Sequence, residues 1–216
     1  KRVWAASLDV LMGPFDEVCR KHNIRWFADS GTLLGAVRHK GYIPWDDDID
    51  VVMFRDDYNR FKEVMYDEFP DGYAFLAYDS HDEVDNNHDM LTRVIDTNIR
   101  WNFDQEFLRI HYDCPIPTGL DIFPLDFIPD DPDEAEQFLN ICHLVLLGVE
   151  QSKKEDKNSE DEQLLQTTIN GIEEQIGYKF KDNVSIEYQM IKLSEVIFGM
   201  YHRDECSRVV YMWSWA

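Results

Sequence analysis

Basic residues are scarce in this chain. Its 216 residues carry 21 Lys and Arg against 43 Asp and Glu, a formal net charge of -22. A nucleic-acid backbone calls for a basic footprint, and anionic lipid is docked through polybasic patches, so the balance argues against both. Cysteine is sparse as well. Cys19, Cys114, Cys142 and Cys206 form no C-x-x-C pair, which removes zinc ribbons and dithiol redox motifs and suits a reducing compartment. Long apolar runs are missing too. The stretch around Leu144 to Val149 is far too short to span a bilayer, and no signal-peptide pattern is seen. The expectation is a soluble, cytoplasmic protein, at most at the inner face of a membrane, with no transmembrane segment. No internal repeat breaks the chain into units.

What remains is ample for folding. The chain is 44% hydrophobic and 13% aromatic, enough for one well-buried domain or a domain with a helical appendage. Trp4, Leu8, Leu11, Phe15 and Val18 mark one face of an amphipathic helix, which Gly13-Pro14 should kink or break in two. Arg25 to Ala28 reads as a strand. Asp29 to Thr32 reads as a capped turn into a short helix, and His39 to Trp45 as a loop. Asp56 should cap a helix whose buried stripe is Tyr58, Phe61, Val64, Met65 and Phe69. Tyr73 to Tyr78, Met90 to Ile95, Phe107 to Tyr112 and Leu120 to Phe123 are candidate strands. After Pro129 the character turns helical, with helices reaching to about Glu150, from Glu162 to Ile176 and from Ser185 to His202. The polar run Gln151 to Gln163 reads as a loop. The order predicts an α/β (α+β) fold, a mixed sheet with flanking helices. Residues 1–129 would form the core and residues 130–216 a helical region packed on it.

The densest signal lies between Gly41 and Val51. Asp46, Asp47, Asp48 and Asp50 lead into an apolar strand, Ile49 to Met53. A strand alternates its faces, so Asp46, Asp48 and Asp50 share one if strand geometry reaches back to Asp46; Asp47 points away. Crowded carboxylates are unfavourable without a cation, and an all-oxygen set suits a hard divalent ion, Mg²⁺ or Mn²⁺. An EF-hand loop fits poorly, because Val51 stands where Gly is required and Asp57 where Glu is. Upstream, Ser30-Gly31-Thr32 sits between a strand and a helix, where backbone N–H groups attract phosphate. Arg38, His39 and Lys40 then form a local basic cluster. Together these suggest cation-assisted phosphoryl transfer. Helix capping by Ser30 and Thr32, and ion pairing by Arg38, are the plainer alternatives.

The run from Trp26 to Val51 (Trp-Phe-Ala-Asp-Ser-Gly-Thr-Leu-Leu-Gly-Ala-Val-Arg-His-Lys-Gly-Tyr-Ile-Pro-Trp-Asp-Asp-Asp-Ile-Asp-Val) resembles the LicD family. That family includes phosphocholine transferases and is related to the fukutin-related ribitol-phosphate transferases. The resemblance extends from about Leu8 to Phe61 and resumes at Gly119 to Asp126. It implies a nucleotidyltransferase-type fold and a transfer of a phospho-alcohol from a CDP-activated donor, such as CDP-choline. The acceptor it implies is a sugar hydroxyl on a cell-surface glycan or glycolipid. It places Gly31 and Thr32, with Ser30, at the donor phosphates and pairs Arg38, with His39, to them. Asp48 and Asp50 become the principal metal ligands, and Asp46 a further ligand or a partner of one. Asp121 becomes the later carboxylate, as a metal ligand or an aid in deprotonating the acceptor. Trp45 is counted with the donor-binding candidates because choline is a quaternary ammonium, although lone aromatics such as Trp45, Trp101 and Phe103 more often simply pack. The resemblance also implies a C-terminal Tyr-Gly-Asp-Tyr-like motif, which Tyr211 to Ala216 does not contain; on that reading the chain is a shortened one. Two other readings stay open: a nucleotidyltransferase or D-x-D glycosyltransferase, and a non-catalytic cation-dependent binding domain.

Overall fold

The computed structural model describes residues 2–43, 46, 48–77, 90–98, 119–154 and 156–212, with side chains from residue 9 onward. The first apolar stripe forms one helix, α1 (Arg2–Lys21), that runs through Pro14 instead of breaking there. Pro14 has no N–H for the Val10 carbonyl four residues back. The Tyr73 hydroxyl donates to that carbonyl instead, at 3.0 Å. Leu11, Phe15 and Val18 are buried, so packing also holds the helix across the proline.

The elements that follow are β1 (Phe27–Ala28), α2 (Ser30–His39), β2 (Ile49–Phe54), α3 (Arg55–Glu68), β3 (Tyr73–Leu76), β4 (Thr92–Asp96) and β5 (Leu120–Ile128). Then come α4 (Pro132–Lys153), α5 (Ser159–Ile176), α6 (Ile186–Phe198) and β6 (Arg208–Val210). The fold is α/β with a mixed sheet. Strand order is β1-β2-β5-β4-β3, with β6 also on β5. β1–β2, β3–β4, β4–β5 and β5–β6 pair antiparallel. The remaining neighbours, β2 and β5, supply the parallel pairing. Such a pairing needs a long crossover, which α3, β3 and β4 provide.

The chain divides into two units, residues 1–87 with 91–124 and residues 88–90 with 125–216. In the first, Ile49, Val51 and Met53 of β2 pack in one core with Phe15, Tyr58, Phe61, Leu120 and Ile122. Burial of Val52 as well leaves β2 apolar on both faces, as a strand inside a covered sheet must be, with Asp50 the polar interruption. In the second, α4 contacts both α5 and α6. A Cβ at Gly148 would lie 2.7 Å from Met190 Sδ, so α4 and α6 approach closely there.

Several boundaries move. α3 starts at Arg55, with Asp56 inside its first turn, not at the cap. α5 starts at Ser159, because Asn158 and Asp161 close a capping box within the polar run. β5 runs five residues past Phe123, through Pro124. That proline lies between the residues paired with β4, which end at Ile122, and those paired with β6, which begin at Asp126. β6 carried no clear strand pattern. The candidate strand Phe107 to Tyr112 lies outside the described residues.

Candidate active site

β1 ends at Ala28 and the chain turns at Asp29 into α2. The Asp29 N–H donates to the Asp50 carbonyl at 3.0 Å, extending the β1–β2 ladder by one residue. The Asp50 N–H donates in turn to the Thr32 hydroxyl at 2.9 Å. The first turn of α2 is thereby tied to the backbone of the central aspartate. Thr32 Oγ1 keeps its own proton for a further acceptor. Asp29 stands at the cap position, but its side chain makes no cap bond to the helix. The start of α2 therefore presents N–H groups that its cap residue leaves unsatisfied, the usual basis of phosphate binding. Ser30 opens the helix at φ 43°, a left-handed conformation that costs a non-glycine residue about 1 kcal/mol or more.

Gly31 faces Asp46. A Cβ at Gly31 would lie 2.5 Å from Asp46 Oδ2, so glycine is what lets the carboxylate approach the helix start. Asp46 is not on the strand: β2 begins at Ile49. The Asp46 N–H bonds the Ile43 carbonyl at 3.1 Å, a local contact that strand pairing does not make. The expected single face of Asp46, Asp48 and Asp50 is thus replaced by another arrangement. Asp48, Asp50 and Asp121 each place a carboxylate oxygen within 4.8 Å of the others. Asp46 stands outside that trio, beside Gly31.

Burial, and then the neighbouring carboxylates of Asp48, Asp121, Asp46 and Asp29, push the Asp50 carboxyl up to about 7. Three oxygens at that spacing form a hard donor set, and the repulsion they impose on Asp50 is the kind a divalent cation relieves. The residues present therefore fit a divalent metal. Asp121 itself is buried and meets the Arg93 guanidinium through both carboxylate oxygens. Arg93 escaped the sequence reading. Its signal was a basic residue in a buried strand, Thr92–Asp96, whose other charge is Asp96.

The other candidates are spread out. Arg38 and His39 lie at the far end of α2, roughly 12 Å along the helix from Ser30 at 1.5 Å per residue. Arg38 Nε donates to His39 Nε2 at 2.9 Å, and both side chains are exposed. Trp45 and Asp47 lie outside the described residues.

The α/β fold with this aspartate trio meets an independent match. The LicD/FKTN/FKRP nucleotidyltransferase domain pattern covers residues 23–137, more than half the chain. The chain belongs to the LicD family. Its matched stretch includes the start of α2, Asp46 to Asp50, Arg93 and Asp121. Among relatives, the lipopolysaccharide cholinephosphotransferase LicD of Haemophilus influenzae is 27% identical over 176 residues. That alignment takes in 79% of this chain and 61% of the relative, so this LicD-family chain spans under two thirds of that protein. Uncharacterized proteins of Rickettsia typhi and Rickettsia prowazekii are 46% and 44% identical over 61 residues, 28% of this chain. Those matches take in 20% and 23% of the two relatives. Among the described residues, no helix is long and apolar enough to cross a membrane.

Proposed function

We propose that this chain carries the catalytic core of a cation-dependent phosphotransferase. It moves a phospho-alcohol, phosphocholine first among the candidates, from a CDP-activated donor to a sugar hydroxyl of a cell-surface glycan. The observation that carries this reading is the bond from the Asp50 N–H to the Thr32 hydroxyl, which joins a phosphate-type helix start to the carboxylate trio. Family membership and the cholinephosphotransferase relative support it.

Asp48, Asp50 and Asp121 would hold Mg²⁺ or Mn²⁺, with Asp46 close by at Gly31. When bound, the cation offsets charge on the donor diphosphate and on the transferring phosphoryl group. The N–H groups at the start of α2 and the Thr32 hydroxyl hydrogen-bond the donor phosphates. The acceptor oxygen attacks the alcohol-bearing phosphorus in line, and the bond from that phosphorus to the bridging oxygen breaks. CMP leaves, and the acceptor proton passes to a carboxylate of the trio. Asp121 is better placed as an oriented ligand than as that proton acceptor, because both its oxygens face Arg93. Positioning and fixed charge do most of this work.

A donor panel tests the reading. CDP-choline with Mg²⁺ should raise the melting temperature and support transfer, as ligand linkage requires. The paired substitutions D48N and D50N should abolish both while the fold survives. A response to ATP or a UDP-sugar but not to any CDP-alcohol would overturn the proposal.

A further inference from the structure

Arg93 sits directly across the β4–β5 ladder from Asp121. Its Nε and Nη2 donate to the two oxygens of that carboxylate, a fork-to-fork pair that fixes the carboxylate plane. Side-chain exposure is 16% for Arg93 and 5% for Asp121, so solvent screens the pair weakly. The path of the arginine is built into the backbone. A Cβ at Gly119 would lie 2.6 Å from Arg93 Cγ and 2.8 Å from Cδ, so the stem crosses over a residue that has no side chain. The Gly119 carbonyl also accepts from the Ile49 N–H at 3.1 Å, beside Asp48 and Asp50. One glycine therefore both admits the arginine and links β5 to the aspartate strand.

Asp48, Asp50 and Asp121 together carry three negative charges when ionised. Arg93 offsets part of that charge at Asp121. We propose that Arg93 is a positioning residue of the cation site: it holds Asp121 in one orientation toward Asp48 and Asp50. The inference rests on the cation-binding part of the proposed function and not on the identity of the donor. The opposite outcome is also physically defined. Removing a positive charge favours a cation by Coulomb's law, whereas losing the fork frees a buried carboxylate to turn away from the ligand set. Partners of metal-ligating groups typically contribute about 10- to 100-fold to metal affinity, so orientation is expected to win.

The test is Mn²⁺ binding by the full chain without nucleotide, followed by the loss of the free-ion EPR signal, with near-ultraviolet circular dichroism to verify packing. Wild type should bind Mn²⁺, and R93M should bind about 10- to 100-fold more weakly. R93K keeps the charge without the fork and should fall between them. G119A displaces the arginine stem without changing any charge and should weaken binding in the same direction. R93M binding as tightly as wild type, or more tightly, would overturn the proposal. If R93M does not fold, unchanged affinity in R93K and G119A overturns it equally. Wild type that binds no Mn²⁺ would instead remove the cation site itself.

Discussion

At the scale of single residues the site is a problem of like charges. Asp48 and Asp50 stand two apart in sequence, and Asp121 joins them through the fold. Asp50 is pressed by burial and then by its neighbours. D50N removes one repelling charge and preserves shape. The cation-free variant should therefore be more stable than wild type by about 1 kcal/mol, a rise in melting temperature of about 2–4 °C for a chain of this length. Added Mn²⁺ should stabilise wild type and leave D50N nearly unmoved. Thermal melts with and without the ion check both halves; a D50N protein that melts below cation-free wild type would show that repulsion does not dominate there. The Asp48–Asp50 spacing was visible in the sequence. That Asp46 leaves the strand to sit on Gly31, and that Arg93 faces Asp121, were not, because both depend on backbone the local pattern does not describe.

At the scale of elements, local patterns placed most helices and strands correctly and erred where a distant group intervened. The proline in α1 is the clearest example. Pro14 should end a helix, and an isolated peptide of this sequence would be expected to break there. Here the carbonyl it orphans is taken by Tyr73, 63 residues away. Y73F should cost about 0.5–1.5 kcal/mol, the net value of one hydrogen bond, and loosen α1 about Val10. Denaturant titration reads the first effect, and amide exchange along α1 the second. A melting midpoint and exchange pattern identical to wild type would mean that packing alone carries the helix past the proline. The length of β5 has a similar origin. Pro124 reads as a strand end, yet each antiparallel partner stops short of it, so no ladder bond to β4 or β6 is asked of its missing N–H.

At the scale of the whole molecule, a net charge of -22 on 216 residues sets a background of self-repulsion. Salt should relieve it. Moderate NaCl should raise the melting temperature even though it weakens exposed pairs such as Lys154–Asp161, because those are worth little individually. A calorimetric salt series checks the sign; a melting temperature that falls with salt would place the weight on ion pairs. Composition, hydrophobic period and the short motifs by themselves determined the α/β class, the helical character after Pro129 and the residues proposed to bind a cation or a phosphate. These are properties of chemistry and local geometry, which travel with the chain. Only the tertiary structure decided which of those groups meet. Strand order puts β5 beside β2, and with it Asp121 beside Asp48 and Asp50. Cross-strand register then sets Arg93 against Asp121. Pairings between strands some 70 residues apart arise from how a sheet closes its hydrogen bonds and buries its core, and no local pattern encodes them.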